Sequence, residues 1–217
     1  NIPDKTTMTP NGALFRTDKK GFLPTMMEEL YNERVTYKKK MLSAQQEFEN
    51  TKDNKYKKLI SRYNNIQMAR KISLNSAYGA IGNQYFRYYD KAIAEGITKS
   101  GQLSIRWIEN RLNKYLNNIL KTDEDYVIAS DTDSVYLTLD KLVTETIKSD
   151  NALSKTINFL DKVASESIEP YITKSYDELK QYTNAFANKM FMKREVIADK
   201  GIWVAKKRYI LNVWDSE

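Results

Sequence analysis

Between Pro24 and Ala80 the apolar residues recur near helical spacing in two long runs, and the one polar interruption is Glu49-Asn50-Thr51-Lys52-Asp53-Asn54. Pro24 suits the first turn of a helix, and Met27, Leu30, Tyr31 and Met41 mark the first run. The second run extends from about Lys57 to Ala80. A short polar connection makes neighbours of consecutive helices, so the pattern predicts an antiparallel two-helix hairpin. Such a hairpin is too thin to own a core. The remaining residues must therefore build one elsewhere.

They have the material for it. A third helical pattern carries Ile97, Ile105, Ile108, Leu112, Tyr115 and Leu116, with Gly96 and Gly101 allowing close approach to a neighbour. After Lys121 the period changes abruptly. Tyr126-Val127-Ile128-Ala129 is a short apolar run, Asp131-Thr132-Asp133 is turn-like, and Val135 to Leu139 alternates, which predicts a β-hairpin. Another amphipathic helix carries Leu153, Ile157, Leu160 and Val163, and Pro170 should break or bend the segment after it. Phe191 to Ile197 and Trp203 to Val213 read as two strands joined through Asp199-Lys200-Gly201. Residues 1–20, with Pro3, Pro10 and Gly12 among polar residues, read as an irregular lead-in. This order predicts an α+β fold: an antiparallel sheet with helices packed on one face, plus the protruding two-helix hairpin.

Composition narrows the chemistry. The 217 residues include neither Cys nor His, which removes disulfides, the usual zinc ligands, thiol nucleophiles and imidazole bases together. Any resident metal must be a hard cation held by carboxylates. The formal charge of +7 suits a surface that meets polyanions, and equally a solubilising one. No run of 18 apolar residues exists, so no membrane span is expected. The opening Asn1-Ile2-Pro3-Asp4 resembles neither a signal peptide nor an initiator end, and suggests an intracellular piece of something longer.

Four clusters stand out. Asp131 and Asp133 are two residues apart, so their carboxylates repel unless a divalent cation such as Mg²⁺ relieves them; ordinary Asx-turn bonding is the alternative use of the same residues. Lys71, Asn75 and Tyr78 fall within a sector of roughly 60° on the second helix, with Ser73, Ala77 and Ala80 on the small opposite side. Arg34 and Lys38 pair two cations on the first helix, as a ligand grip or as a solvated face. Lys206-Lys207-Arg208-Tyr209 sits in an expected apolar strand, where at least one basic pair must face solvent or a phosphate backbone.

Taken together these motifs resemble family B DNA polymerases, and most nearly the replicative enzymes of T-even-type tailed phages. Arg70 to Asn83 is similar to the fingers motif called B, Asp131-Thr132-Asp133-Ser134 to palm motif C, and Lys206-Lys207-Arg208-Tyr209 to the primer-gripping motif. The resemblance implies a division into a lead-in (1–20), fingers (21–82) and the C-terminal part of the palm (83–217). It implies addition of deoxynucleotides to a primer 3′ end by two-metal phosphoryl transfer. Asp131, Asp133 and, more loosely, Glu195 correspond to metal ligands for two Mg²⁺ ions, with Mn²⁺ as the alternative. Arg34, Lys38, Lys71 and Asn75 correspond to the triphosphate grip, Lys71 also to a proton donor for pyrophosphate. Tyr78 would lie beneath the nascent base pair, and Lys206, Lys207, Arg208 and Tyr209 would hold primer-template DNA.

The sequence also departs from the family. The Asp-x-x-Ser-Leu-Tyr-Pro-Ser segment, motif A, has no counterpart, and neither do the exonuclease motifs or the thumb. The expectation is a chain catalytically incomplete alone, which needs a complementary segment bearing motif A and reaches a sliding clamp through other regions. A truncated piece of a larger enzyme and one product of a polymerase encoded in pieces explain this equally well. A non-catalytic nucleic-acid-binding module is the competing reading. The family implies the cytoplasm of an infected bacterial host. Ser130 stands where the family often has Gly, which predicts a modest change in turn geometry.

Overall fold

The structure, a computed structural model, describes residues 2–147 and 153–216. They are α+β, with small antiparallel two-stranded sheets among predominantly helical segments. The chain forms two compact units, Ala13–Ile97 and a second made of Asn1–Gly12 with Thr98–Glu217.

In the first unit, α1 (Phe22–Thr51) and α2 (Asn54–Ile81) form the expected hairpin. The turn is only Lys52-Asp53, tighter than the six-residue tip the composition suggested. Lys52 closes α1 in the left-handed conformation (φ 54°), and the Asp53 carboxylate accepts from the Lys55 N–H at 2.9 Å as the N-cap of α2. Among the less exposed residues of α1, Leu23, Met27, Leu30, Arg34, Tyr37, Met41, Ala44 and Phe48 fall at spacings that alternate four and three. On α2 the same alternation gives Tyr56, Ile60, Tyr63, Gln67, Arg70, Leu74, Ala77 and Ile81. Two such stripes make a coiled-coil seam. The small face expected from Ser73, Ala77 and Ala80 is met in part: Ala77 and Ala80 are less exposed, Ser73 is exposed, and Gln67 and Arg70 face inward as well. Beyond α2, Phe86 and Tyr88 fold back so that Tyr88 meets Phe22 edge-on at 5.0 Å. Asp90 then caps α3 (Lys91–Leu120) by accepting from the Ala92 and Ile93 N–H groups.

The core belongs to the second unit. Ile108 and Leu112 of α3 pack against Ile168, Ile172, Tyr176 and Leu179, all buried. The last three lie on α6 (Glu169–Thr183), a helix absent from the sequence expectation. Tyr115 stacks on Tyr171 at 4.1 Å, and the Trp107 indole N–H donates to the Ser175 carbonyl. A hairpin of β3 (Val127–Asp131) and β4 (Ser134–Leu137) packs on these helices through Val127, Val135 and Leu137. Helices therefore cover one of its faces.

Other segments differ from expectation. The lead-in holds a short strand, β1 (Thr6–Met8), tied to the end of α6 by Thr7 Oγ1 donating to Thr183 O and Asn184 Nδ2 donating to Thr6 O. A second short strand, β2 (Leu14–Arg16), comes next. A short helix, α4 (Asp140–Thr146), was not anticipated. Pro170 does not break its helix: α5 (Leu153–Val163) continues through a π-helical turn, Ala164–Ile168, into α6. There the Glu169 N–H reaches back to Ala164 O, and the widened turn accommodates a ring that would clash in a regular helix.

The last two strands are β5 (Val196–Ala205) and β6 (Arg208–Ser216). Ala205 pairs with Arg208, so Lys206-Lys207 is the hairpin turn, and Asp199-Lys200-Gly201 lies inside β5. The sequence reading put the turn six residues too early, because Gly201 marks close packing and not chain reversal. A Cβ there would meet the Trp203 ring at 2.5 Å. Phe191 to Glu195 is irregular. At its end Arg194, 16% exposed, binds Asp161 at 2.6 Å and Asp215 at 2.5 Å, fastening the base of this hairpin to α5.

Candidate functional site

The acidic bend is held from below by α3. Asn113 Oδ1 accepts from the Tyr126 and Val127 N–H groups at 2.9 and 3.0 Å, and Asn117 Oδ1 accepts from the Glu124 N–H. These amides fix where β3 begins. Asp131 pairs with Ser134 across the hairpin, leaving Thr132 and Asp133 as the turn. The Asp133 N–H donates to Asp131 O at 2.6 Å, and Thr132 between them has φ 55°. A β-branched residue rarely adopts positive φ, so strain sits here. Ser130 carries none: it lies within β3, paired with Val135, and its hydroxyl donates to Glu109 of α3.

The two carboxylates differ. Asp131 is about a third exposed as a side chain, accepts from Thr132 Oγ1 at 2.9 Å, and lies 3.4 Å from Lys207 Nζ. The Thr132 hydroxyl, the largest influence, holds its carboxyl below the ordinary range; burial, the second, opposes it, and the Lys207 and then Lys206 ammonium groups lower it further. Asp133 is exposed, and its carboxylate has no hydrogen bond or ion pair among the described residues. One ionised and one unencumbered carboxylate at an open bend fit a hard divalent cation. Glu195 is exposed and does not join them: no three acidic side chains among the described residues come together as a ligand set.

The basic turn meets this bend. Besides the contact between Lys207 and Asp131, the Tyr136 ring stands edge-on to Tyr209 and to Trp203, each at 5.4 Å. Burial first, then hydrogen bonding with Tyr209, raises the Tyr136 phenol above its usual range. Lys206, Lys207, Arg208 and Tyr209 are all exposed: Lys206 and Lys207 form the turn, Arg208 and Tyr209 open β6, and Lys207 is left-handed with φ 61°. The sequence paired these residues by strand alternation, which does not apply at a turn. Tyr136 and Trp203 were not singled out, although an aromatic next to each charged cluster was a visible signal.

In the first unit Lys38, Lys71, Asn75 and Tyr78 are exposed, and Arg34 is half-buried. Glu33 binds Arg70 at 2.5 Å across the hairpin, which fixes the back of the seam. At 100° per residue Lys38, Lys71, Asn75 and Tyr78 then fall on the opposite flank, together. Arg34 is a seam residue whose enclosed Nε has no hydrogen-bond partner among the described residues. A cationic flank with an amide and an aromatic ring can hold phosphate oxygens and support a flat base.

An acidic bend under a basic turn can hold a hard cation beside phosphate groups, and a helical hairpin with a cationic flank can hold phosphate oxygens. The chain belongs to DNA polymerase family B, which it matches over residues 2–217. It is 35% identical to the DNA-directed DNA polymerase of Escherichia phage RB69, over 99% of this chain and 29% of that protein. It is 33% identical to the DNA-directed DNA polymerase of Enterobacteria phage T4, over 99% of this chain and 30% of that one. DNA polymerase beta of African swine fever virus is 29% identical over 70% of this chain. The similarity is thus to T-even-type members, and the chain spans under a third of their length. Among the described residues no helix is long and apolar enough to cross a membrane.

Proposed function

We propose that this chain supplies the fingers (21–82, after the lead-in 1–20) and the C-terminal part of the palm (83–217) of a DNA-directed DNA polymerase. The observation that carries the reading is the docking of the Lys206-Lys207 turn on the Asp131–Asp133 bend, since it joins a phosphate-binding element to a cation-binding one. Asp131 and Asp133 would hold Mg²⁺, or Mn²⁺ in its place. When bound, the ions would stabilise the attacking and leaving oxygens of nucleotidyl transfer.

The protein groups do the rest. Arg34, Lys38, Lys71 and Asn75 grip the triphosphate of the incoming deoxynucleotide, and Lys71 Nζ carries the proton for the departing pyrophosphate. Tyr78 supports the nascent base pair. Lys206, Lys207, Arg208 and Tyr209 hold the primer end of primer-template DNA. Glu195 serves in the metal region only if the Phe191–Glu195 segment rearranges, because two carboxylates alone are assembled at the bend. A further acidic ligand then comes from a complementary segment bearing motif A, and the clamp contact from regions outside this chain. The site of action is the cytoplasm of the infected host.

That two-carboxylate bend also favours a second reading, a nucleic-acid-binding module without chemistry. One comparison separates the two. The purified chain should bind primer-template yet barely extend it, and a complementary polymerase segment carrying motif A should restore extension in a form that Asp133→Ala abolishes. Silence of the mixture favours the binding module. Lys71→Ala should weaken nucleotide use far more than duplex affinity; equal losses would remove Lys71 from the triphosphate grip.

A further inference from the structure

Helix α2 carries six Lys and Arg residues in 28 and no Asp or Glu. Two of the six are neutralised from outside, Lys55 by Asp53 and Arg70 by Glu33, and Lys71 belongs to the proposed triphosphate flank. Lys57, Lys58 and Arg62 remain. They line a shallow open groove with Ser61, Asn65 and Ile66. Lys57 lies 5.2 Å over the Phe48 ring, whereas Lys58 and Arg62 have no carboxylate partner among the described residues. Arg62 points about 180° and Lys58 about 140° away from Lys71 around the helix, and Lys57, about 40° from Lys71 in angle, lies roughly 21 Å from it along the axis, so this surface is separate from the nucleotide grip.

Its position argues against a merely solubilising face. An exposed helix gains stability from acids in its first turn and from carboxylates three or four residues from its cations. Here the Asp53 N-cap offsets Lys55, but the first turn itself has no acid, and Lys57 and Lys58 follow near the end where the helix dipole is positive. Folding alone does not favour that arrangement. An anion over the groove would relieve it. Lys58 and Arg62 stand about 6 Å apart along the axis, within reach of consecutive phosphates of one strand, with Ser61 and Asn65 beside them in the groove as hydrogen-bond donors.

We propose that the outer face of the N-terminal half of α2, built on Lys57, Lys58, Ser61, Arg62 and Asn65, binds the phosphate backbone of a single nucleic-acid strand. It rests on the reading of this chain as a nucleic-acid enzyme but not on the nucleotide site.

The test is binding of a labelled oligothymidylate to the 217-residue chain over a salt series, without nucleotide, primer terminus or divalent ion. Lys58→Gln/Arg62→Gln should weaken binding and flatten the slope of log affinity against log salt by about 1.4, the increment for two phosphate contacts to a single strand. Gln is a good helix former, and the single Arg62→Gln, with about half the effect, serves if circular dichroism shows lost helix. An unchanged slope overturns the proposal. So does a loss confined to duplex DNA of the same length, or to an acidic polypeptide such as polyglutamate. A slope change in a chain that supports no extension even with the complementary motif A segment would leave this surface standing while the polymerase reading falls.

Discussion

Lys207 Nζ stands 3.4 Å from Asp131 Oδ1, linking the left-handed turn residue of one hairpin to the last strand residue of another. The ammonium stands against the carboxylate that the proposed divalent cation would use, so the two would compete. Lys207→Gln should tighten Mn²⁺ binding at the bend by up to about fivefold, the ceiling for an exposed ion pair. Paramagnetic titration of Mn²⁺ measures this directly. The same affinity in both proteins would mean that Lys207 and the cation do not share Asp131.

Gly201 lets the Trp203 indole lie flat across β5. An added methyl would meet two ring carbons at 2.5 and 2.6 Å and Leu211 Cδ2 at 2.8 Å. All three are the far ends of side chains, so the indole would move and the strand would stay. Gly201→Ala is expected to cost about 1 kcal/mol, the low end for overpacking. It should also shift tryptophan fluorescence, as Trp203 leaves Tyr136 and Tyr209. A variant with unaltered emission would show the cluster does not depend on Gly201.

Much of this architecture could be read in advance where one period dominates. The α1–α2 hairpin, α3 and the Asp131–Asp133 bend follow from apolar spacing and turn chemistry, which are local properties. The misplaced final turn shows the limit. Lys200-Gly201 has ordinary turn chemistry, and only the tertiary fact that Trp203 folds over Gly201 explains why glycine is there. Likewise Arg34 was read as part of a ligand grip or a solvated face, yet it lies, like Arg70, in a seam defined by the partner helix. Helix α6 was hidden by Pro170, whose disruption the π-helical turn absorbs. The flank of Lys38, Lys71, Asn75 and Tyr78 was half legible: helix phase within α2 was available, and the register that brings Lys38 beside it was not.

Arg70 offers a test of that seam. It occupies a coiled-coil position and is balanced by Glu33, itself half exposed. Replacing a partly buried charge by an apolar residue at such a position is often stabilising. Arg70→Leu should therefore raise the urea midpoint, by about 1 kcal/mol in stability. Glu33→Gln leaves Arg70 without its partner and should lower stability by less, about 0.5 kcal/mol. If Arg70→Leu is the more damaging of the two, the pair, and not apolar packing, sets the register of the hairpin.

Tyr176 makes the core sensitive to alkali. It is 3% exposed between α3 and α6, and burial raises its phenol to about 12. In the unfolded chain the phenol loses its proton near pH 10. Between these values the unfolded state releases a proton that the folded state keeps, so the stabilisation is intact below about pH 10 and declines up to about pH 12. Tyr176→Phe abolishes that titration and preserves most of the packing. Denaturation midpoints at pH 8, 10 and 11 should fall less steeply for the variant than for the parent. Parallel declines would place the alkaline transition elsewhere among the tyrosines.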